Sequence, residues 1–215
     1  MAYTLHSAWR ATAPYRVRIG LALKGVPYGY HAIDLLAGQQ REPEYRAVNP
    51  QGLTPALDLG DGTILTQSLA ILEWLEETRP NPPILPRSAL DRAMVRRMAG
   101  IICCDIHPLN NTRVGRKLTE LGVPPEVQIK DWIHAWIRDG FDALEPLVAK
   151  HCGQFAFGDS ATIADCCLVP QVYSARRFKL DVALWPALVG AADRAAEHPA
   201  FQAAHPNKQP DAKPL

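Results

Sequence analysis

The chain is 215 residues long, 47% hydrophobic and 21% charged, with 23 Lys and Arg against 22 Asp and Glu and a formal charge of +1. That is the composition of a globular protein with one large domain or two modest ones; it excludes disorder or a fibre and leaves no global field to draw nucleic acid or an anionic membrane. Any anion binding must therefore be local.

No run approaches the roughly 18 apolar residues of a membrane span. Met1 leads straight into a strand without an apolar leader, so the expectation is a cytoplasmic protein with no membrane or nucleic-acid partner. The five cysteines, Cys103, Cys104, Cys152, Cys166 and Cys167, are odd in number, fall partly in adjacent pairs and lack C-x-x-C spacing. Reduced, buried thiols and no metal site are expected.

Tyr3 to His6 reads as a strand. Trp9-Arg10-Ala11-Thr12-Ala13-Pro14-Tyr15-Arg16-Val17-Arg18-Ile19 then runs into a helix, with Thr12 as the predicted N-cap, Pro14 in the first turn, and Lys24-Gly25 as the stop. A helix start leaves unpaired N–H groups and a partial positive charge, which suits an anion such as a thiolate; an ordinary cap is the alternative reading. Tyr28 to Ile33 is a second strand, Glu42 to Val48 a short helix, and Asn49-Pro50-Gln51-Gly52 a turn. Leu53-Thr54-Pro55-Ala56-Leu57 places a proline among strand-like residues, at an edge or a special backbone position. Asp61-Gly62 predicts a hairpin between Ala56–Leu59 and Thr63–Leu65, and an amphipathic helix follows from Ser68 to about Thr78. These elements make a compact α/β layer, which four prolines within residues 79–86 bring to an end.

Everything after Ser88 reads helical. Leu90, Met94, Met98, Ile101 and Ile102 share one helical face, and Pro108 kinks or breaks that helix where His107, Asn110, Asn111 and Arg113 cluster. Ile129, Trp132, Ile133 and Trp136, then Phe141, Leu144, Leu147 and Val148, recur at three and four residues, predicting a broad buried stripe with both tryptophans in the core. Thr162-Ile163-Ala164-Asp165 reads as a capping box with Asp in place of Glu. Pro186 to His198 is a last helix, and the Pro-containing polar tail after Pro199 is expected to be loosely ordered.

An α/β layer with a proline before its hairpin, a Pro-rich linker and a helical half resembles the glutathione transferase superfamily. Leu53 to Leu57 looks like its cis-proline loop, Gln67-Ser68-Leu69-Ala70-Ile71-Leu72 like its glutamyl-carboxylate segment, and Thr162 to Asp165 like its helical capping box. Trp9 to Ile19 with Leu23-Lys24-Gly25 resembles the zeta class. So do Cys104-Asp105-Ile106-His107-Pro108-Leu109-Asn110-Asn111, and Val169-Pro170-Gln171-Val172 with Arg176-Arg177-Phe178. Zeta enzymes usually carry Ser-Ser-Cys, Ser-Ser-Ala or a Ser-Gly-Thr variant where this chain has Ala11-Thr12-Ala13, so Thr12 is the only hydroxyl left there.

The resemblance implies an α/β thioredoxin-like glutathione-binding domain over 1–82, a linker over 83–88 and an all-helical (all-α) substrate-binding domain over 89–215, in a homodimer. It implies a glutathione-dependent cis–trans isomerase of maleylpyruvate or maleylacetoacetate in aromatic catabolism, in which a borrowed thiolate adds to the double bond and is expelled after rotation. Thr12 and Arg10 are the implied catalytic residues. Gln40, Thr54, Pro55, Gln67, Ser68, His107 and Asn111 are the implied glutathione contacts, although His107 taken alone would read as a structural or surface histidine. Arg10, Arg113 and Arg176, with Arg177 as the alternative to Arg176, would hold a dicarboxylate substrate through planar guanidinium groups. Two other functions stay open: a glutathione transferase conjugating or dehalogenating small electrophiles, and a non-catalytic glutathione-fold binding module.

Overall fold

The computed structural model describes residues 2–213. By its internal contacts the chain divides into two units, one of residues 2–84 with 198–213 and the other Leu85–Glu197.

The first unit opens with β1 (Tyr3–Ser7), α1 (Thr12–Leu23) and β2 (Tyr28–Ala32), followed by α2 (Pro43–Val48), β3 (Ala56–Asp58), β4 (Ile64–Thr66) and α3 (Ser68–Thr78). The strands form one sheet in the order β2-β1-β3-β4. β1 runs parallel to β2 with Leu5 opposite Tyr30 and antiparallel to β3 with Leu5 opposite Leu57, and β4 pairs antiparallel with β3, Leu65 opposite Leu57. Because β1 is interior, Leu5, His6 and Ser7 are buried in succession rather than alternately. Leu5, Val17, Leu21, Val26, Leu57, Ile71 and Leu75 form the core between the sheet and helices α1 and α3.

Local chemistry sets the turns. Gly62 has φ 90° in the predicted hairpin, where Leu59 N–H donates to Thr63 O at 3.0 Å. At the end of α1, Gly25 takes φ 62°, and the N–H groups of Val26 and Gly25 reach back to Leu21 O and Ala22 O, a Schellman C-cap.

The second unit comprises α4 (Ala89–Gly100), a π-helical segment Ile101–Ile106, α5 (Thr112–Glu120), α6 (Pro125–Val127), a second π-helical segment Gln128–Ile133, α7 (His134–His151), α8 (Ile163–Arg177) and α9 (Pro186–Ala196). Helix α8 is buried along most of its length and packs against α4 and α9. The capping box at its start forms as predicted: the Asp165 carboxylate accepts from Thr162 N and Thr162 Oγ1, both at 2.8 Å, and from Ala156 N at 2.7 Å. Complete burial nevertheless pushes the Asp165 carboxyl up to about 6, against the opposing pull of those hydrogen bonds.

Several expectations give way to the structure. On α4 and the segment after it the buried face is Val95, Met98, Ala99, Ile102 and Ile106, while Leu90 is 72% exposed on the first turn. The predicted stripe of the long helix is buried only from Ile137 through Phe141, Leu144 and Val148. Ile129 is exposed, Trp136 is 36% exposed and Trp132 is half-buried, so the tryptophan pair is not core. The wider π-helical turn over Gln128–Ile133 accounts for this, because the extra residue it accommodates shifts the phase of the apolar face. Of the cysteines, Cys166 and Cys167 are buried, but Cys104 is exposed.

Residues 199–213 of the expected loose tail instead form helical turns and belong with the first unit, not with the helical half where residues 89–215 were expected to stay together; residues 214 and 215 lie outside the described residues. Helix α10 (Pro199–Ala204) buries Ala200, Phe201 and Ala204 and packs on α1. Arg18, fully buried on α1, donates to Ala204 O at 3.0 Å, and the Asp211 carboxylate accepts from Trp9 N–H at 3.0 Å and Tyr30 O–H at 2.6 Å. A buried guanidinium and a half-buried tyrosine need acceptors, and the tail supplies them.

Candidate functional site

The start of α1 differs from its prediction in one residue. Ala11, not Thr12, is the N-cap, with extended backbone (φ −74°, ψ 132°) and no side chain to cap with; Thr12 is the first helical residue and is buried. Pro14 has no N–H and Tyr15 N–H donates to Ala11 O at 3.1 Å, so the first turn carries its other backbone donors at Thr12 and Ala13. No acid lies in that turn, which leaves the positive end of α1 unopposed by a local carboxylate. Arg10 is half-buried, its guanidinium 5.4 Å from the Trp9 ring centroid, and it pairs with no carboxylate among the described residues.

This stretch is clamped from behind. Arg18 Nη2 donates to Trp9 O at 2.7 Å and Arg18 Nη1 to Ser7 Oγ at 3.1 Å, while Asp211 holds the Trp9 N–H. Burial and the hydrogen bond to Asp211 together push the Tyr30 hydroxyl pKa up, keeping it a donor.

The Thr54–Pro55 bond is cis, and the loop before it is held from α2: Leu53 O accepts from Tyr45 O–H at 2.7 Å and from Asn49 Nδ2 at 2.6 Å. Gly52, at φ 65°, lies so close to Gln40 O that a Cβ would crowd it, which places Gln40 beside this loop. The Gln40 side chain is buried, with Oε1 lacking a hydrogen-bond partner. Gln67 precedes α3 at φ 66°, a conformation that costs a non-glycine residue about 1–3 kcal/mol and recurs at ligand sites. Its Nε2 donates to Gln51 Oε1 at 2.9 Å, and the Oγ of the next residue, Ser68, accepts from Arg16 Nη1 at 3.3 Å. In the first unit, Gln40 and Gln67 thus each touch the 51–52 stretch that leads into the cis Thr54–Pro55 bond, Ser68 follows Gln67, and Thr12 opens α1 two residues after Arg10. The unpaired N–H groups of Arg16 call for an acceptor such as a carboxylate, and the unpaired Gln40 Oε1 for an N–H or O–H donor.

In the second unit, His107 ends the π-helical segment, its N–H donating to Ile102 O at 2.9 Å, and turns lead to Asn111. The α4 helix therefore does not continue through Pro108, and His107 and Asn111 do not share a helical face. Asn111 is the N-cap of α5, its Oδ1 accepting from Arg113 N–H at 3.0 Å, and the Arg113 side chain is exposed. Arg176 stands apart: Asp193 on α9 grips its guanidinium at both ends, at 2.7 and 2.8 Å, which raises its pKa. That geometry makes Arg176 a tie between α8 and α9. Arg177 lies over the Phe178 ring at 4.5 Å. Among the described residues no group of three or more His, Cys, Asp or Glu could hold a metal ion.

Sequence reading missed Arg16 and the tail. Two arginines inside the apolar run of α1 were the signal, since a buried cation must be answered by something.

Residues 13–78 match the family described as Glutathione S-transferase, N-terminal domain, which is the class that this fold and site define. Maleylpyruvate isomerase of Ralstonia sp is 47% identical over 96% of this chain and 98% of its own length. Maleylacetoacetate isomerase of Pseudomonas aeruginosa is 44% identical over 96% and 97%. Among solved structures, the holo form of a maleylpyruvate isomerase described as a bacterial zeta-class glutathione S-transferase superposes with a TM-score of 0.95 at 45% identity, covering 98% of this chain and all 100% of that one. Maleylacetoacetate isomerase of Anaeromyxobacter dehalogenans with glutathione in its active site gives 0.89 at 44% identity, covering 99% and 98%. The chain belongs to the zeta-class glutathione transferases, the maleylacetoacetate and maleylpyruvate isomerase family.

Proposed function

We propose that the protein is a glutathione-dependent cis–trans isomerase of a maleyl-type diketo acid, maleylpyruvate or maleylacetoacetate. The observation that carries this reading is the start of α1, with an unopposed positive end, a buried Thr12 and an adjacent Arg10, in a chain 47% identical to a maleylpyruvate isomerase. When bound, glutathione supplies a sulfur nucleophile that makes the activated double bond transiently rotatable.

The chain's own residues bind, orient and stabilise charge. Thr12 and the backbone of the first turn of α1 favour the ionised thiol, as a helix N-terminus and a hydroxyl donor both do. Arg10 stabilises the negative charge that develops on a substrate carbonyl oxygen. Thr54 pairs through its backbone with the cysteinyl part of the tripeptide, Gln67 and Ser68 receive the glutamyl carboxylate, and Gln40 the glycyl end. His107 is a further glutathione contact. Asn111 is another, through its Nδ2, since its Oδ1 is engaged as a cap. Arg113 and Arg10 orient the substrate carboxylates; Arg176 joins them only if Asp193 releases it. We place the protein in the cytoplasm as a homodimer; no helix among the described residues is long and apolar enough to cross a membrane.

The test is an ultraviolet assay with each maleyl compound. Conversion to the fumaryl isomer that requires glutathione but consumes none is the expected result, and no turnover with either substrate refutes it. Stoichiometric loss of thiol with α-halo acids or aryl electrophiles would instead favour a conjugating transferase, the reading that Ala11 and Ala13 lean toward.

A further inference from the structure

Arg16 is 2% exposed on α1. Its Nη1 donates to Ser68 Oγ at 3.3 Å, while Nε and Nη2 are buried without a hydrogen-bond partner, and no carboxylate among the described residues pairs with it. Arg18, two residues on, shows what a satisfied buried guanidinium looks like in the same helix, with acceptors from Ala204 O, Ser7 Oγ and Trp9 O. An unpaired buried cation is costly, and a fold keeps one when something outside the protein answers the charge.

The position of Arg16 follows from helix packing. One turn beyond Arg16 and Ser68, Gly20 abuts Leu72 so closely that a Cβ would strike it, so the two helices hold Arg16 under the start of α3. That start has no acid in its first turn and no side-chain cap from Gln67. A guanidinium and the positive end of an eleven-residue helix therefore converge on one hydroxyl with no protein anion between them. Because Ser68 Oγ accepts from Arg16, its own proton is left for an acceptor other than Arg16.

We infer that Arg16 is a positioning residue that charges the Ser68 site from inside the fold, making it selective for the carboxylate of the γ-glutamyl group of glutathione. The inference rests on the glutathione reading above and adds to it the source of the charge. Arg16 orients and polarises Ser68, and Ser68 touches the ligand.

Calorimetric titration of the full chain with two ligands tests this: glutathione, and the analogue in which 4-aminobutyryl replaces the γ-glutamyl group, which removes that carboxylate alone. Wild type is expected to prefer glutathione by at least about tenfold, the size of one charge-assisted hydrogen bond. In Arg16→Met, and in Arg16→Gln as a second neutral variant should the first fail to fold, the preference collapses toward unity, and Arg16→Lys restores part of it. Equal loss of both ligands in the neutral variants, with the wild-type ratio preserved, would make Arg16 merely structural and overturn the inference while leaving glutathione as cofactor. Wild type binding neither ligand would overturn the glutathione reading and the inference with it.

Discussion

The two stretches assigned to ligands, residues 9–18 and 101–113, are held by different means. The first is clamped by groups distant in sequence: Asp211 on the Trp9 N–H, and Arg18 bridging Trp9 O, Ser7 Oγ and Ala204 O. The second also has many local bonds, with π-helical turns, the His107 N–H on Ile102 O and the Asn111 cap. Side-chain ties also reach it from elsewhere: Trp132 Nε1 donates to Leu109 O at 2.8 Å, and Cys103 Sγ meets Cys167 Sγ on α8 at 3.6 Å. A site that must stabilise a charged sulfur gains from rigid, preorganised dipoles, whereas a segment that accommodates a substrate gains from local adjustability.

The strongest way to break this contrast is Arg18→Met. It strands three buried acceptors at once, and hydrogen bonds from a charged donor contribute about 1.5–3 kcal/mol each without simple additivity, so a loss of about 3–5 kcal/mol is expected in urea denaturation. Asp211→Ala removes only the tail's hold on Trp9 and Tyr30. A loss of about 2 kcal/mol is expected, with the KM for glutathione rising by more than kcat falls, because the start of α1 loosens while its residues remain.

Gly140→Ala probes the other stretch. An added Cβ would press on the Ile106 side chain at the end of the π-helical segment, and overpacking of this kind costs about 1–3 kcal/mol. Both Cγ1 and Cδ1 of a buried, β-branched side chain stand in the way, so about 2 kcal/mol is expected, with a steady-state rate that falls by more than the stability loss explains.

The smallest effect is one of pH. Burial, then the nearby Arg18 and Lys208, hold His205 below its ordinary value, and its Nδ1 accepts the Asn207 N–H. The unfolded histidine binds a proton more readily than the folded one, so this contribution is present above about pH 6.5 and is lost as pH falls through the lower folded value. The protection factor of the Trp9 N–H, its exchange rate relative to the intrinsic rate at the same pH, should therefore fall between pH 7 and pH 5.5 in wild type and much less in His205→Gln.

Much of the first unit was legible because its cues are local. The Asp61-Gly62 turn, the Lys24-Gly25 stop and the Ser68 start each rest on neighbours within a few residues, as does the Thr162–Asp165 box. Thr12 was misplaced by one position because a hydroxyl before an apolar run looks the same at the cap and just inside it. The tryptophan stripe failed for a similar reason: an ideal helical period cannot reveal a π-helical turn.

Caps, stops and turn chemistry thus follow from residue types at short spacing, where backbone geometry alone sets who meets whom. The pairing of Arg176 with Asp193, the docking of a Pro-containing tail onto α1 and the lone guanidinium of Arg16 under Ser68 depend on groups far apart along the chain. Whether a buried charge is answered by the protein or left for a ligand is settled by folding, because the energy of a charge depends on which groups share its low-dielectric surroundings.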